Sequence, residues 1–174
     1  SMAAADPPTR RPGALRFVGR TSELAALEED LRQVPHPLGP WRVLRGPAGV
    51  GKTRLAEELA RRAQRGGTTV VWGHSPGEST APPYWPWTQV VRSLLGRTTG
   101  TDLALLALGQ EGPVDRFELF DAVTGIVRSA AAHGPILVVL DDLHSADQAT
   151  MQLTRFLVRH LGDAPVLVVA TVRA

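Results

Sequence analysis

The 174-residue chain is 43% apolar and 21% charged, close to globular averages, so one domain with a single sizeable core is expected rather than a disordered chain. The absence of cysteine excludes disulfides and thiolate metal sites, and no apolar run reaches the roughly 18 residues that a membrane span needs. The pI is 9.9, yet the formal charge is only +2 and arginines are interleaved with acidic residues, which argues against a dedicated nucleic-acid surface.

Residues 1–14 mix small residues, proline and arginine without apolar periodicity and read as a flexible tail or linker, so the folded domain is expected over residues 15–174. The N-terminus has no apolar h-region of a signal peptide, and a cytoplasmic protein is the simplest reading. Trp41 to Arg45 predicts a short strand running into a glycine-rich loop. From Thr53 to Arg65, Leu55, Ala56, Leu59, Ala60 and Ala63 recur at helical spacing with charged residues between them, until Gly66-Gly67 stops the helix. Thr68 to Trp72 follows as a second strand, completing a strand, loop, helix, strand unit from which parallel sheets are built.

Gly73 to Pro86 is rich in Gly, Ser and Pro and predicts a long loop anchored by Tyr84, Trp85 and Trp87. Helices are expected over Thr88–Leu95, Asp102–Leu108 and Asp115–His133, the last with Phe117, Phe120, Val123 and Val127 on its apolar stripe. The uninterrupted apolar run Ile136 to Leu140 predicts a strand covered on both faces, ending in Asp141-Asp142. A helix from about Ala146 to Leu161 should turn Met151, Leu153, Phe156, Leu157 and His160 inward, and Val166 to Thr171 supplies a fourth strand.

The spacing G-x-x-x-x-G-K-T is met by Gly46-Pro47-Ala48-Gly49-Val50-Gly51-Lys52-Thr53, with a strand before it and a helix after it. Glycines let the backbone wrap a phosphate and turn N–H groups inward, and the helix N-terminus adds its positive end. Lys52 would reach the β and γ phosphates, and the Thr53 hydroxyl is a hard oxygen ligand for Mg²⁺. The expected cofactors are therefore ATP or ADP with Mg²⁺, and Arg54, next in sequence, is grouped with the nucleotide-binding residues. Lys52 is the one lysine among 19 basic residues, the rest being arginine, which suggests a need for the compact ammonium at this position.

Asp141 and Asp142 lie at the end of a predicted parallel strand, where ligands bind in open α/β sheets. Asp141 could hold the Mg²⁺ water shell and Asp142 could orient the attacking water; an acidic turn capping the strand is the plain alternative. Arg173, just past the fourth strand, could touch the γ-phosphate or be an ordinary surface arginine. Of the five histidines only His144 falls near this site, as a turn residue rather than a catalyst; His36, His74, His133 and His160 form no metal spacing. Glu78 and the Tyr84-to-Trp87 cluster could form a partner surface or a loop packing its own aromatics.

Four segments together resemble the STAND class of P-loop signalling ATPases, and within it the ATPase domain of large LuxR-type and antibiotic-regulator transcription factors of bacteria. They are Phe17-Val18-Gly19-Arg20 followed by Glu23-Leu24, the Gly46–Thr53 loop, Leu137 to Asp147, and Ala170 to Arg173. The resemblance implies an α/β P-loop NTPase three-layer sandwich with a mostly parallel sheet that includes the Walker A and Walker B strands. It implies that Val18, Gly19 and Arg20 lie near the adenine, that Asp141 is the Mg²⁺ carboxylate, that Asp142 polarises water, and that Arg173 is a strand-end sensor.

It further implies a switch whose nucleotide state controls assembly or the activity of neighbouring domains of the same regulator, with DNA contacted by domains outside this chain; with part of that family's pocket missing, weak nucleotide affinity and very slow hydrolysis are expected. The later strand beside the glycine-loop strand, the helical lid and the winged-helix domain of that family are missing from the sequence, which reads as the N-terminal part of a larger ATPase module. An open sheet edge is then expected, covered by self-association or by a tail. A small-molecule or nucleoside kinase, and a P-loop interaction module without turnover, remain the alternatives.

Overall fold

The computed structural model describes residues 14–16, 20–49, 51–77, 81–95 and 115–173. Along the chain run β1 (Ala14–Arg16), α1 (Arg20–Arg32), β2 (Trp41–Gly46), α2 (Lys52–Arg65), β3 (Thr69–His74), α3 (Trp85–Leu95), α4 (Arg116–Ala131), β4 (Ile136–Asp141), a single 3₁₀ turn (Leu143–Ser145), α5 (Gln148–His160) and β5 (Val166–Arg173). The strands form one sheet in the order β1-β2-β5-β4-β3, and every pairing is parallel.

Three layers follow from the period-two alternation of the central strands. Leu137 and Val139 of β4, with Leu167 and Val169 of β5, pack beneath Leu24, Leu27 and Leu31 of α1 and Leu55, Leu59 and Ala63 of α2. The intervening residues Ile136, Val138, Leu140, Val166, Val168 and Ala170 face the other way, into a core built with α3, α4 and α5. Every residue of β4 is buried, as an apolar run without polar alternation requires. This is the expected α/β fold with a parallel sheet.

The aromatic segment is more ordered than a loop. α3 starts at Trp85, three residues earlier than the periodicity suggests, and seats Trp87 in the core with no exposed surface. The Trp87 indole N–H donates to Thr154 Oγ1 at 2.8 Å, so the buried ring keeps its polar partner. Tyr84 packs edge-on against Phe120 with ring centroids 6.2 Å apart, which accounts for it as packing. Glu78 and the helix expected over Asp102–Leu108 lie outside the described residues.

Some expectations are corrected. Phe117 is 69% exposed, whereas the buried stripe of α4 runs through Leu119, Phe120, Val123, Ile126 and Val127. At about 100° per residue, Phe117 sits roughly 120° around the helix from Val123 and misses the core. His160 is exposed and stacks on Phe156 with centroids 4.0 Å apart rather than facing inward. β3 continues to His74 and β5 to Arg173, so Arg173 belongs to the strand and not to the segment beyond it. The outer edge of β2 is not open along its length: Ala14, Leu15 and Arg16 pair with Val43, Leu44 and Arg45. Among the described residues no helix is long and apolar enough to cross a membrane.

Candidate functional site

β2, β5 and β4 are neighbours in the sheet, so the segments leaving their C-terminal ends meet at one edge, where open parallel sheets bind ligands. The first segment is the glycine loop. Gly49 and Gly51 have φ of 83° and 84°, a left-handed conformation that side chains with a Cβ rarely adopt. This geometry delivers the chain into α2 with Gly51 as N-cap and no side-chain capping bond. α4 and α5, by contrast, have Asp115 and Asp147 accepting from their first N–H groups. α2 also has no acidic residue in its first turn. Its free N–H groups and positive dipole end therefore form a ready anion site.

Lys52 is 9% exposed, and its Nζ donates to the Gly46 carbonyl at 2.7 Å and the Pro47 carbonyl at 2.9 Å. The ammonium is thus held inside the loop that the motif predicts it to serve. Pro47, Ala48 and Gly49 form the exposed outer rim of the loop, and Gly46, the last residue of β2, is buried. Val18, Gly19 and Val50 lie outside the described residues. Arg20 opens α1. Arg54 lines a groove of about 380 Å³ between α1 and α2 together with Thr21, Leu24, Glu57 and Glu58. Beside it, a hydrogen bond from Arg62 draws the Glu58 carboxyl below its usual range.

Thr53 and Asp141, separated by 88 positions, are brought together: Thr53 Oγ1 donates to Asp141 Oδ1 at 3.0 Å. Asp141 is 8% exposed, and its Oδ2 faces His74 Nδ1 at 3.6 Å. These are hard oxygen donors of the kind that Mg²⁺ takes, and the hydrogen bond between them keeps both at one place. The donor set therefore fits Mg²⁺.

Asp142 is exposed and adopts φ 55° and ψ 43°, a left-handed conformation that costs a residue with a Cβ about 1–2 kcal/mol. Its amide donates to Thr171 Oγ1 at 2.9 Å and its carbonyl accepts from Ser145 N at 3.0 Å, which hold the turn. Arg173 closes β5 directly beside Gly46 in the parallel register, and its amide donates to His144 Nδ1 at 3.0 Å. His144 is thus a turn residue that ties the end of β5 to the segment after β4.

The structure adds two residues that the sequence does not place at the site. His74 sits beside Asp141 because β3 and β4 pair in register, so His144 is not the only histidine there. Thr171 is 1% exposed, and its Oγ1 donates to Asp141 Oδ1 at 2.7 Å. A signal for Thr171 is present, since it is a polar residue closing the apolar run Val166 to Ala170. The His74 pairing requires knowing the strand order.

A family model described as AAA ATPase domain matches residues 16–169. No curated protein matches the chain. Among solved structures, CDC6P from Pyrobaculum aerophilum is similar with TM-score 0.54 and 16% identity over 96% of this chain and 41% of that one. The Aeropyrum pernix ORC1 protein in complex with DNA is similar with TM-score 0.52 and 18% identity over 89% of this chain and 39% of that one. AMPPCP-bound DnaA from Aquifex aeolicus gives TM-score 0.50 and 17% identity over 91% of this chain and 40% of that one. At such identities the likeness concerns the fold, and the chain spans about two fifths of each of these proteins.

Proposed function

The chain belongs to the AAA ATPase domain family, and from that premise we propose that it is an ATP- and Mg²⁺-binding switch domain of a larger signalling or transcriptional regulator of the STAND, LuxR-type line. The observation that carries the reading is the Thr53–Asp141 contact beside the enclosed Lys52, which gathers phosphate-binding and metal-binding groups at one sheet edge.

In this reading the N–H groups of the glycine loop and the first turn of α2 bind the β and γ phosphates. The Lys52 ammonium exchanges its bonds to the Gly46 and Pro47 carbonyls for phosphate oxygens. Thr53 and Asp141 hold Mg²⁺, which when bound offsets charge on the phosphate oxygens. Asp142 orients water for slow hydrolysis, and Arg173, beside Gly46, registers the γ-phosphate. The adenine lies toward Val18, Gly19 and Arg20. Release of the switch acts on other domains of the regulator, which carry any DNA contact, and self-association is a further partner mode. The STAND and LuxR-type assignment is supported by the Val-Gly-Arg segment at 18–20 and the Asp-Asp-Leu-His-Ser-Ala-Asp run at 141–147.

Thermal unfolding with and without Mg-ATP tests the proposal, because a ligand that binds only the folded state must stabilise it. At 100 times Kd the gain is about 2.7 kcal/mol. An unchanged Tm in millimolar Mg-ATP would point instead to an interaction module. Turnover that rises sharply when a nucleoside or sugar is added would point to a kinase.

A further inference from the structure

We propose that Thr171 is a positioning residue that couples the metal carboxylate to the water-orienting acid through one hydroxyl group. The inference rests on the Mg-ATP reading above. Thr171 Oγ1 donates its proton to Asp141 Oδ1 at 2.7 Å and accepts the Asp142 amide proton at 2.9 Å. Its donor and acceptor capacities are therefore directed at two consecutive residues with different roles. The bond to Asp141 fixes the carboxylate plane together with the Thr53 hydroxyl, which binds the same oxygen. The bond to the Asp142 amide holds that residue in its left-handed conformation and so sets where its exposed carboxylate stands.

The device is buried, so water does not compete for it: Thr171 is 1% exposed. β5 also carries Arg173 two residues further on, whose amide is bonded to His144. A shift of the strand end registered by Arg173 thus reaches Asp141 and Asp142 through Thr171. The residue touches neither the phosphates nor the metal in this scheme. It acts through the two aspartates.

Thr171→Val, which keeps the shape and removes the hydroxyl, is compared with Thr171→Ser, which restores it, and with Thr171→Ala as a second hydroxyl-free variant. In the protein without metal or nucleotide, amide hydrogen exchange at Asp142 should rise about tenfold in the valine and alanine variants while Val138 and Val168 stay protected. The serine variant should match wild type. In ATP titrations, the Mg²⁺ concentration giving half of the metal-dependent affinity gain should rise about 10–100-fold without the hydroxyl and return with serine, as loss of an outer-shell partner of a metal ligand predicts.

Metal-free ADP affinity should be the same in all four proteins. Wild-type exchange at Asp142 in the valine and alanine variants overturns the proposal, and so does a serine variant that behaves like valine. If wild type binds ATP and the valine variant responds identically to Mg²⁺, this coupling fails and the nucleotide reading stands. If wild type binds no ATP with or without Mg²⁺, both fail together.

Discussion

Asp30, His36 and Arg42 show how single residues fix the approach to β2. Arg42 Nε donates to Asp30 Oδ2 at 2.9 Å, its Nη1 donates to the Gly39 and Trp41 carbonyls, and His36 Nε2 lies 3.4 Å from Asp30 Oδ1. The Arg42 and Asp30 side chains are 4% and 10% exposed, so removing one partner leaves a buried charge poorly compensated. Arg42→Ala should lower stability by about 3–5 kcal/mol, whereas the double substitution of Arg42→Met with Asp30→Leu should cost less, because it leaves no carboxylate or guanidinium buried without its partner. Urea midpoints measured at constant slope decide this. Nothing in the spacing of these residues announces the cluster, because it depends on the return of the chain from α1 into β2. The loop lysine is legible for the opposite reason: its partners are local carbonyls of the same motif. The pairing of His74 with Asp141 and the reach of Thr171 to two aspartates depend on strand order and register, which a residue-by-residue reading does not contain.

Among the elements, the seam between β3 and α3 is set by the absence of a side chain at Gly73. A Cβ there would lie 2.5 Å from the Pro86 carbonyl oxygen and 3.1 Å from Leu140 Cδ2. Backbone cannot yield as a side-chain tip can, so Gly73→Ala should cost about 1–3 kcal/mol by overpacking, measurable as a fall in Tm. Helix and strand identities are readable wherever apolar periodicity runs long, as in α2, β4 and β5. α1 is not among the elements expected from sequence, although its signal is present: Leu24, Leu27 and Leu31 keep helical spacing with charged residues between them, as in α2. The start of α3 is hidden by the prolines that precede and open it, since Pro86 reads as a loop residue yet is tolerated in a first helical turn.

For the molecule as a whole, a parallel sheet covered on both faces leaves its C-terminal edge as the place where loops converge, and the candidate site lies there. Its fold class is legible from the alternation of strands and helices; the pairing of β1 with β2 is not, because three residues show no periodicity. The central claim is that this edge binds ATP through the glycine loop and Lys52. Isothermal titration with ATP and with GTP, each with Mg²⁺, on wild type and on Lys52→Ala tests it most directly. The account predicts heat of binding for ATP that disappears in Lys52→Ala. ATP binding to Lys52→Ala at wild-type affinity would contradict it.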